Sequence, residues 1–358
     1  MAVHFHTLKV KDVRKETQDC ISVAFEIPAE LKTEFSFEHG QNITIRKTID
    51  GEELRRSYSI CTSPFEQELR IAIKKVEDGK FSSFANDVLK VNDELEVLPP
   101  TGKFNTKLDK GNEKQYLAFA AGSGITPVIS IIKTTLQAEP KSSFTLVFGN
   151  KGRNSIIFFE ELEGLKNKYL NRFSFINILS REKTDAPLNS GRINTRKLNE
   201  LNKLVDYKTA DDIFICGPEE MIFCVKDFLE EIHIDKKKIH FELFTTPGQK
   251  QVTNRHVPDT NNSGPKSHIS IKLDGRSFDF DLGFDNDSIL DAALKQGADL
   301  PFACKGGVCC TCKAKLLEGE VEMDVNWGLE HEEVEQGFIL TCQSHPKTEK
   351  VVVDFDIK

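Results

Sequence analysis

The 358-residue chain contains no apolar run near the roughly 18 residues that a membrane-spanning helix requires. Its opening stretch, MAVHFHTLKVKDVRKETQD, is charged and alternating, without the apolar middle region of a secretory signal. These absences point to a cytoplasmic, unanchored protein. A positive excess is missing too: 48 Lys and Arg stand against 56 Asp and Glu, a formal net charge of −8. That removes the basic stripe on which nucleic-acid binding depends. Low complexity is also absent, since 39% hydrophobic and 29% charged residues is the composition of folded domains. At about 100 to 200 residues per domain, the length fits two or three cores.

The negative charge is unevenly placed. Residues 267–358 hold 18 acidic and 9 basic residues, so the last quarter accounts for the whole deficit. Such a surface suits docking onto a basic protein patch and serves solubility equally well.

Nine cysteines in a chain without a secretion signal suggest metal or redox chemistry more than disulfides. Cys304, Cys309, Cys312 and Cys342 follow the pattern C-x4-C-x2-C with a distant fourth member, the ligand run of a plant-type [2Fe-2S] cluster. Gly306 and Gly307 lie inside that loop, where small residues let backbone N–H groups turn toward sulfur. Zinc is the alternative, although it usually draws on two separated C-x2-C pairs. Cys310 is a fifth candidate whose spacing fits the run less well, and it reads as a non-ligand. Around the loop, HISIKLDGRSFDFDL predicts a hairpin turning at Asp274-Gly275, SILDAALKQG a helix, and KVVVDFDI a closing strand. Over about ninety residues the segment resembles plant-type ferredoxins. Before it, Thr245 to Lys266 lacks periodicity and is rich in Pro, Gly and Asn, which predicts a linker.

The first hundred residues read as short alternating strands, HFHTLKVKDV, CISVAFEI, NITIRKTI, RIAIKKV and ELEVLPP, with a helix near FSSFANDVL. Within them Arg56, Tyr58 and Ser59 form R-x-Y-S: a cation for pyrophosphate, an aromatic face for an isoalloxazine, a hydroxyl for flavin N5. A strand with Arg and Tyr is by itself ordinary surface. Downstream, Gly79, Lys80, Phe81 and Ser82 open a helix whose free amides suit a pyrophosphate. From Gln115 the pattern changes to alternating strands and helices, as in a parallel sheet: QYLAFAAG, SFTLVFGN, RFSFINILS and DDIFICG. Gly122-Ser123-Gly124-Ile125-Thr126-Pro127 follows the first of these strands, and Cys216-Gly217-Pro218 ends the fourth at the carboxyl edge, where ligands bind. Pro127 is placed to begin the helix without wasting a donor. A two-glycine loop alone is also compatible with a tight turn, and Cys216 with a buried apolar cysteine.

Taken in this order, the motifs resemble the ferredoxin-NADP reductase superfamily over residues 4 to 244. The resemblance implies FAD held by Arg56, Ser57, Tyr58, Ser59, Ile73, Lys74 and the Gly79–Ser82 turn. It implies a nicotinamide dinucleotide held by Gly122, Gly124, Thr126, Pro127, Gly217 and Pro218, with Cys216 beside the nicotinamide. Ser180-Arg181 looks like the pair that holds a ribose 2′-phosphate, which favours NADPH, while pairing of Glu182 with Arg181 would leave NADH. Glu242-Leu243-Phe244 resembles the family's terminal acid-x-aromatic, in which the aromatic covers the flavin and moves aside for the nicotinamide.

The expected architecture is therefore multidomain: an antiparallel β-barrel FAD domain over 1–107, an α/β parallel-sheet NADP domain over 112–244, a linker over 245–266, and an α+β β-grasp ferredoxin domain over 267–358. The implied path carries electrons from NADPH to FAD, to the cluster, and on to an oxygenase component, with Ser59, Cys216, Glu242 and Phe244 at the hydride-transfer centre and no nucleophile or acid–base dyad. From FHTLKVKDVRKET to VVVDFD the sequence is similar to the electron-transfer subunits of phenylacetyl-CoA epoxidases. Reductases of ring-hydroxylating dioxygenases or of other di-iron monooxygenases, and a stand-alone ferredoxin-type carrier, are the alternatives.

Overall fold

The computed structural model describes residues 4–244, 265–284 and 286–357. Two compact units emerge, one built on residues 7–54 and 58–244, the other on the C-terminal residues from 265.

The first unit contains two sheets. Strands β1 (His6–Thr17), β2 (Cys20–Glu26), β3 (Asn42–Ile49), β4 (Glu52–Ser59), β5 (Leu69–Lys74) and β6 (Glu94–Val97) form an antiparallel sheet in the order β4-β3-β6-β1-β2-β5. Just past β4, Ile60 bridges Ile71 of β5, which closes the sheet into a barrel. Alternation explains its core: Leu8 and Val10, Ile43 and Ile45, and Ile71 and Ile73 point inward and are fully buried. A single helix, α1 (Lys80–Asp87), packs Phe81 and Ala85 onto that core.

The second sheet is parallel. It comprises β7 (Gln115–Ala121), β8 (Ser143–Asn150), β9 (Phe173–Leu179), β10 (Asp212–Gly217) and β11 (Ile239–Leu243), ordered β11-β10-β7-β8-β9. Helices α2 (Ile125–Ala138), α3 (Phe159–Lys168), α4 (Thr195–Leu201) and α5 (Glu219–Glu231) connect the strands. Apolar cores lie on both faces of the sheet, which is why β10 is buried at every position. The strand order reverses between β7 and β10, so their carboxyl ends open a crevice at the switch point. The fifth strand, IHFEL, was not expected from the sequence.

The second unit is a β-grasp. Strands β12 (Lys266–Leu273) and β13 (Arg276–Gly283) form the expected hairpin, whose two turn residues Asp274 and Gly275 have φ of 51° and 69°. Both lie in the left-handed region, as the hairpin turn that matches strand twist demands. Helix α6 (Ile289–Lys295) precedes β14 (Lys313–Glu318), β15 (Val321–Met323), α7 (His331–Glu335), β16 (Phe338–Leu340), β17 (Ser344–Pro346) and β18 (Lys350–Asp354). The main sheet runs β13-β12-β18-β14-β16, and β15 pairs with β17 apart from it. The expected linker over 245–266 lies outside the described residues except for its last two, and Lys266 already opens β12. Among the described residues no helix is long and apolar enough to cross a membrane.

Candidate redox centres

At the end of β4, Ser59 is buried and its hydroxyl donates to the Glu242 carboxylate at 3.1 Å. Glu242 is the register partner of Cys216 across the parallel pair β10–β11. A barrel residue, a strand-end cysteine and an acid 183 residues away from the serine thus converge at the carboxyl edge of the sheet. Burial, reinforced by the Glu242 charge, pushes the Cys216 thiol far up, so it stays a neutral SH and serves as neither thiolate nor acid near neutral pH. Phe244 follows β11 and is 38% exposed.

The glycine loop leads into α2 through a 3-10 turn at Gly122–Gly124. Close packing explains Gly124, since a Cβ there would stand 2.1 Å from the Cys216 carbonyl oxygen. The two carboxyl-end loops of the switch point are therefore in backbone contact. Pro127 is the third residue of α2 and not its first. It lacks the amide that would bond Ser123, and the Thr126 hydroxyl donates to that carbonyl instead, at 3.0 Å. Pro218 caps α5, and Gly217 ends β10 with its position against Ala121. Lys74 at the end of β5 brings its ammonium beside Gly122.

Arg56, Ser57 and Tyr58 are half-buried on β4. Arg56 donates to the Arg55 carbonyl at 2.7 Å, and the Tyr58 ring lies 5.7 Å from that of Phe81. Gly79 caps α1, where a Cβ would press within 2.4 Å of the Ser82 hydroxyl, which itself bonds Val76 N at 3.2 Å. That leaves the Lys80, Phe81 and Ser82 amides at a helix start, the place that receives anions. Lys80 pairs with Glu52. Ile73 fills the barrel core with its side chain, and its carbonyl accepts from Asn86 at 3.0 Å.

At the far edge, Ser180 and Arg181 are exposed just beyond β9, tied to the loop after β8 by Ser180 N to Asn150 O and Arg181 N to Lys151 O. Glu182 does not take Arg181 as partner; its carboxylate accepts from the Arg153 amide at 2.7 Å. Sequence reasoning missed Asn150, the last residue of β8. Its side-chain Nδ2 is buried without a hydrogen-bond partner at the carboxyl edge, a donor of the kind a bound ligand satisfies. The signal was available in the strand-end position of SFTLVFGN.

In the C-terminal unit the four cysteines fall into two pairs. The Cys304 thiol donates to Cys309 and holds it down to about 6, while the Cys312 thiol, aided by the Gly307 amide, lowers Cys342. Backbone amides point at sulfur as well: Gly306 N lies 3.2 Å from Cys304 Sγ, and Cys304 N 3.5 Å from Cys309 Sγ. Cys310, at φ 54°, turns its thiol to the Gly328 carbonyl and joins neither pair. Among the described residues no three His, Cys, Asp or Glu side chains gather around one ion-sized point. Two thiol pairs suit two irons with two thiolates each, not a tetrahedral zinc.

Comparison with known families agrees with this geometry. Residues 7–106 match the oxidoreductase FAD-binding domain, 119–227 the oxidoreductase NAD-binding domain, and 271–347 the 2Fe-2S iron-sulfur cluster binding domain. Over 355 residues the chain is 44% identical to one of the subunits of the 1,2-phenylacetyl-CoA epoxidase of Escherichia coli, covering 99% of this chain and 98% of that protein. The chain belongs to the family of three-domain flavin and iron–sulfur reductases. Another relative of this reductase is the ferredoxin reductase component of the Rhodococcus rhodochrous 3-ketosteroid-9-alpha-monooxygenase, 30% identical over 97% of this chain and 96% of that protein. In fold the reductase matches phthalate dioxygenase reductase, with a TM-score of 0.59 at 24% identity over 98% of both chains. It is an oxidoreductase that carries electrons from NAD(P)H through FAD to a 2Fe-2S cluster.

Proposed function

We propose that this reductase works in the cytoplasm as the NADPH-dependent electron donor to the oxygenase component of a phenylacetyl-CoA epoxidase. We assign FAD to 1–107, NADPH to 112–244, a tether to 245–266, and the cluster to 267–358. Full-length similarity to the Escherichia coli protein supports the partner. The observation that carries the redox reading is the Ser59–Glu242 hydrogen bond beside Cys216, in a chain that also presents two thiol pairs.

When bound, FAD accepts a hydride from the nicotinamide and passes its electrons singly to a [2Fe-2S] cluster, which stores one at a time. Tyr58 and the α1 amides hold and orient the flavin, with Arg56 on its pyrophosphate. Gly122, Gly124, Thr126, Pro127, Gly217 and Pro218 shape the crevice for the dinucleotide, and Lys74 adds positive charge beside the first glycine. Ser59 and Glu242 place a hydroxyl and a carboxylate at the transfer centre, and the neutral Cys216 thiol gives the nicotinamide a compact, uncharged neighbour. Phe244 covers the flavin until the nicotinamide arrives. Arg181, exposed and without an acidic partner among the described residues, supports a 2′-phosphate and hence NADPH. Cys304, Cys309, Cys312 and Cys342 ligate the cluster, and the Gly306 and Gly307 amides favour its more negative, reduced state.

The test is reconstitution: this reductase, NADPH, phenylacetyl-CoA and a purified phenylacetyl-CoA oxygenase component should give epoxide in proportion to reductase added. Absence of product there, alongside turnover of a ring-hydroxylating dioxygenase, would assign the other partner class.

A further inference from the structure

Helix α2 carries the nucleotide loop at its start and a polar seam along its side. Its sequence, ITPVISIIKTTLQA, is largely apolar, yet Ser130, Lys133 and Thr134 are buried. Spaced i, i+3 and i+4, they share one face. Ser130 Oγ donates to the Thr62 carbonyl at 2.6 Å, and Thr134 Oγ1 bonds Ser63 Oγ at 3.0 Å. Lys133 Nζ reaches Glu66 at 2.9 Å and Glu161 of α3 at 2.8 Å. Thr62, Ser63 and Glu66 belong to the loop that leaves Ser59 and re-enters the barrel at β5. The seam therefore ties the flavin strand directly to the helix that begins at the glycine loop.

The charge arrangement is unusual for a structural contact. The Lys133 side chain is only 8% exposed, whereas Glu66 and Glu161 are 39% and 40% exposed at the edge of an open cleft. A buried ammonium held between two carboxylates adds little stability over a well-packed apolar side chain. What it adds is definition, because one cation satisfies both acids only at one relative placement of the elements that bear them. Hydride transfer is sensitive to placement of this kind: reacting atoms must sit about 3 to 3.5 Å apart, and a displacement of about 1 Å can cost about 100-fold.

We propose that Lys133 is a positioning residue for hydride transfer: by bridging Glu66 of the barrel and Glu161 of α3, it sets the distance and tilt between the flavin strand and the nicotinamide crevice. The inference rests on the assignment of FAD to the Ser59 strand and of the nicotinamide to the Gly122 and Cys216 loops.

Stopped-flow reduction of the FAD-loaded, full-length protein by NADPH and by 4-deuterated NADPH tests it, on the wild type, Lys133→Met, Lys133→Arg and the double variant Glu66→Gln with Glu161→Gln. With FAD content unchanged, Lys133→Met should lower the limiting rate about tenfold, move the half-saturating NADPH concentration less than about twofold, and enlarge the deuterium effect. Lys133→Arg should recover most of the rate. If Lys133→Met does not fold, the double variant, which alters only half-exposed acids, reads the same quantities. Normal limiting rates in FAD-replete variants, or a change confined to half-saturation, would overturn the positioning role. A wild type that NADPH cannot reduce would instead contradict the proposed function, and the inference with it.

Discussion

At the scale of single residues, the proposed preference for NADPH rests on Arg181. It stands exposed past β9, and the nearby Glu182 carboxylate is engaged by the Arg153 amide. An available guanidinium suits the fork geometry of a phosphate and gains nothing from a free ribose hydroxyl. Arg181→Ala should therefore raise the KM for NADPH about tenfold or more while changing that for NADH less than about twofold, a loss of one charge-assisted contact of roughly 1.5 to 3 kcal/mol. Steady-state reduction of ferricyanide with each nucleotide reads both constants. Equal effects on the two would remove the 2′-phosphate from this position. The same residues show what a sequence hides: Ser180-Arg181 can be picked out by its place after a strand, but the competing attraction of Glu182 is settled only by where the Arg153 loop lies.

At the scale of elements, the barrel is held by a buried arginine. Arg70 on β5 reaches Asp12 of β1 at 2.5 Å, Glu68 at 2.7 Å and the Ser22 hydroxyl of β2 at 3.0 Å, so it joins three strands. Its hydrogen bonds hold both carboxyls below their ordinary range. A carboxyl depressed by folding contributes stability above its unfolded value of about 4, and that contribution is lost as pH falls through the folded value. Arg70→Met should thus cost about 2 kcal/mol at pH 7, discounted for the partial exposure of both acids, and the difference from wild type should shrink at pH 3. Urea midpoints at the two pH values measure it; a constant difference would place the stabilisation in packing alone.

Legibility at this scale followed the length and purity of the pattern. The four long parallel strands are near-continuous apolar runs and could be read directly, whereas β11 has five residues behind three lysines and could not. In the β-grasp, the hairpin and β18 announce themselves by alternation and an Asp-Gly turn. The stretch from β14 to β17 is built of strands of three to six residues among acids, too short for either period to register. The cluster loop was legible because three of its four cysteines, Cys304, Cys309 and Cys312, are local in sequence. The meeting of Ser59, Cys216 and Glu242 was expected from the family resemblance and not from any local pattern, because it depends on a register between β10 and β11 and on how the barrel packs on the sheet.

For the whole molecule, the match of the FAD-binding and cluster-binding domains to separate stretches of sequence, 7–106 and 271–347, has a direct consequence. Cys304→Ser removes one thiol of a pair that lies within the 2Fe-2S domain match and outside the FAD- and NAD-binding matches. It should abolish the iron–sulfur absorbance and the transfer of electrons to an oxygenase while leaving NADPH reduction of FAD within about twofold of wild type, as expected where two sites do not couple. Loss of flavin reduction in that variant would show that the units do not work independently. The central claim, a continuous path from NADPH through FAD to a binuclear cluster, is tested most directly by anaerobic NADPH titration of the purified protein, followed by visible absorbance and low-temperature EPR. The account predicts bleaching of the flavin band together with a rhombic one-electron iron–sulfur signal. Flavin bleaching with no such signal, in protein shown by iron and sulfide analysis to hold its cluster, would contradict it.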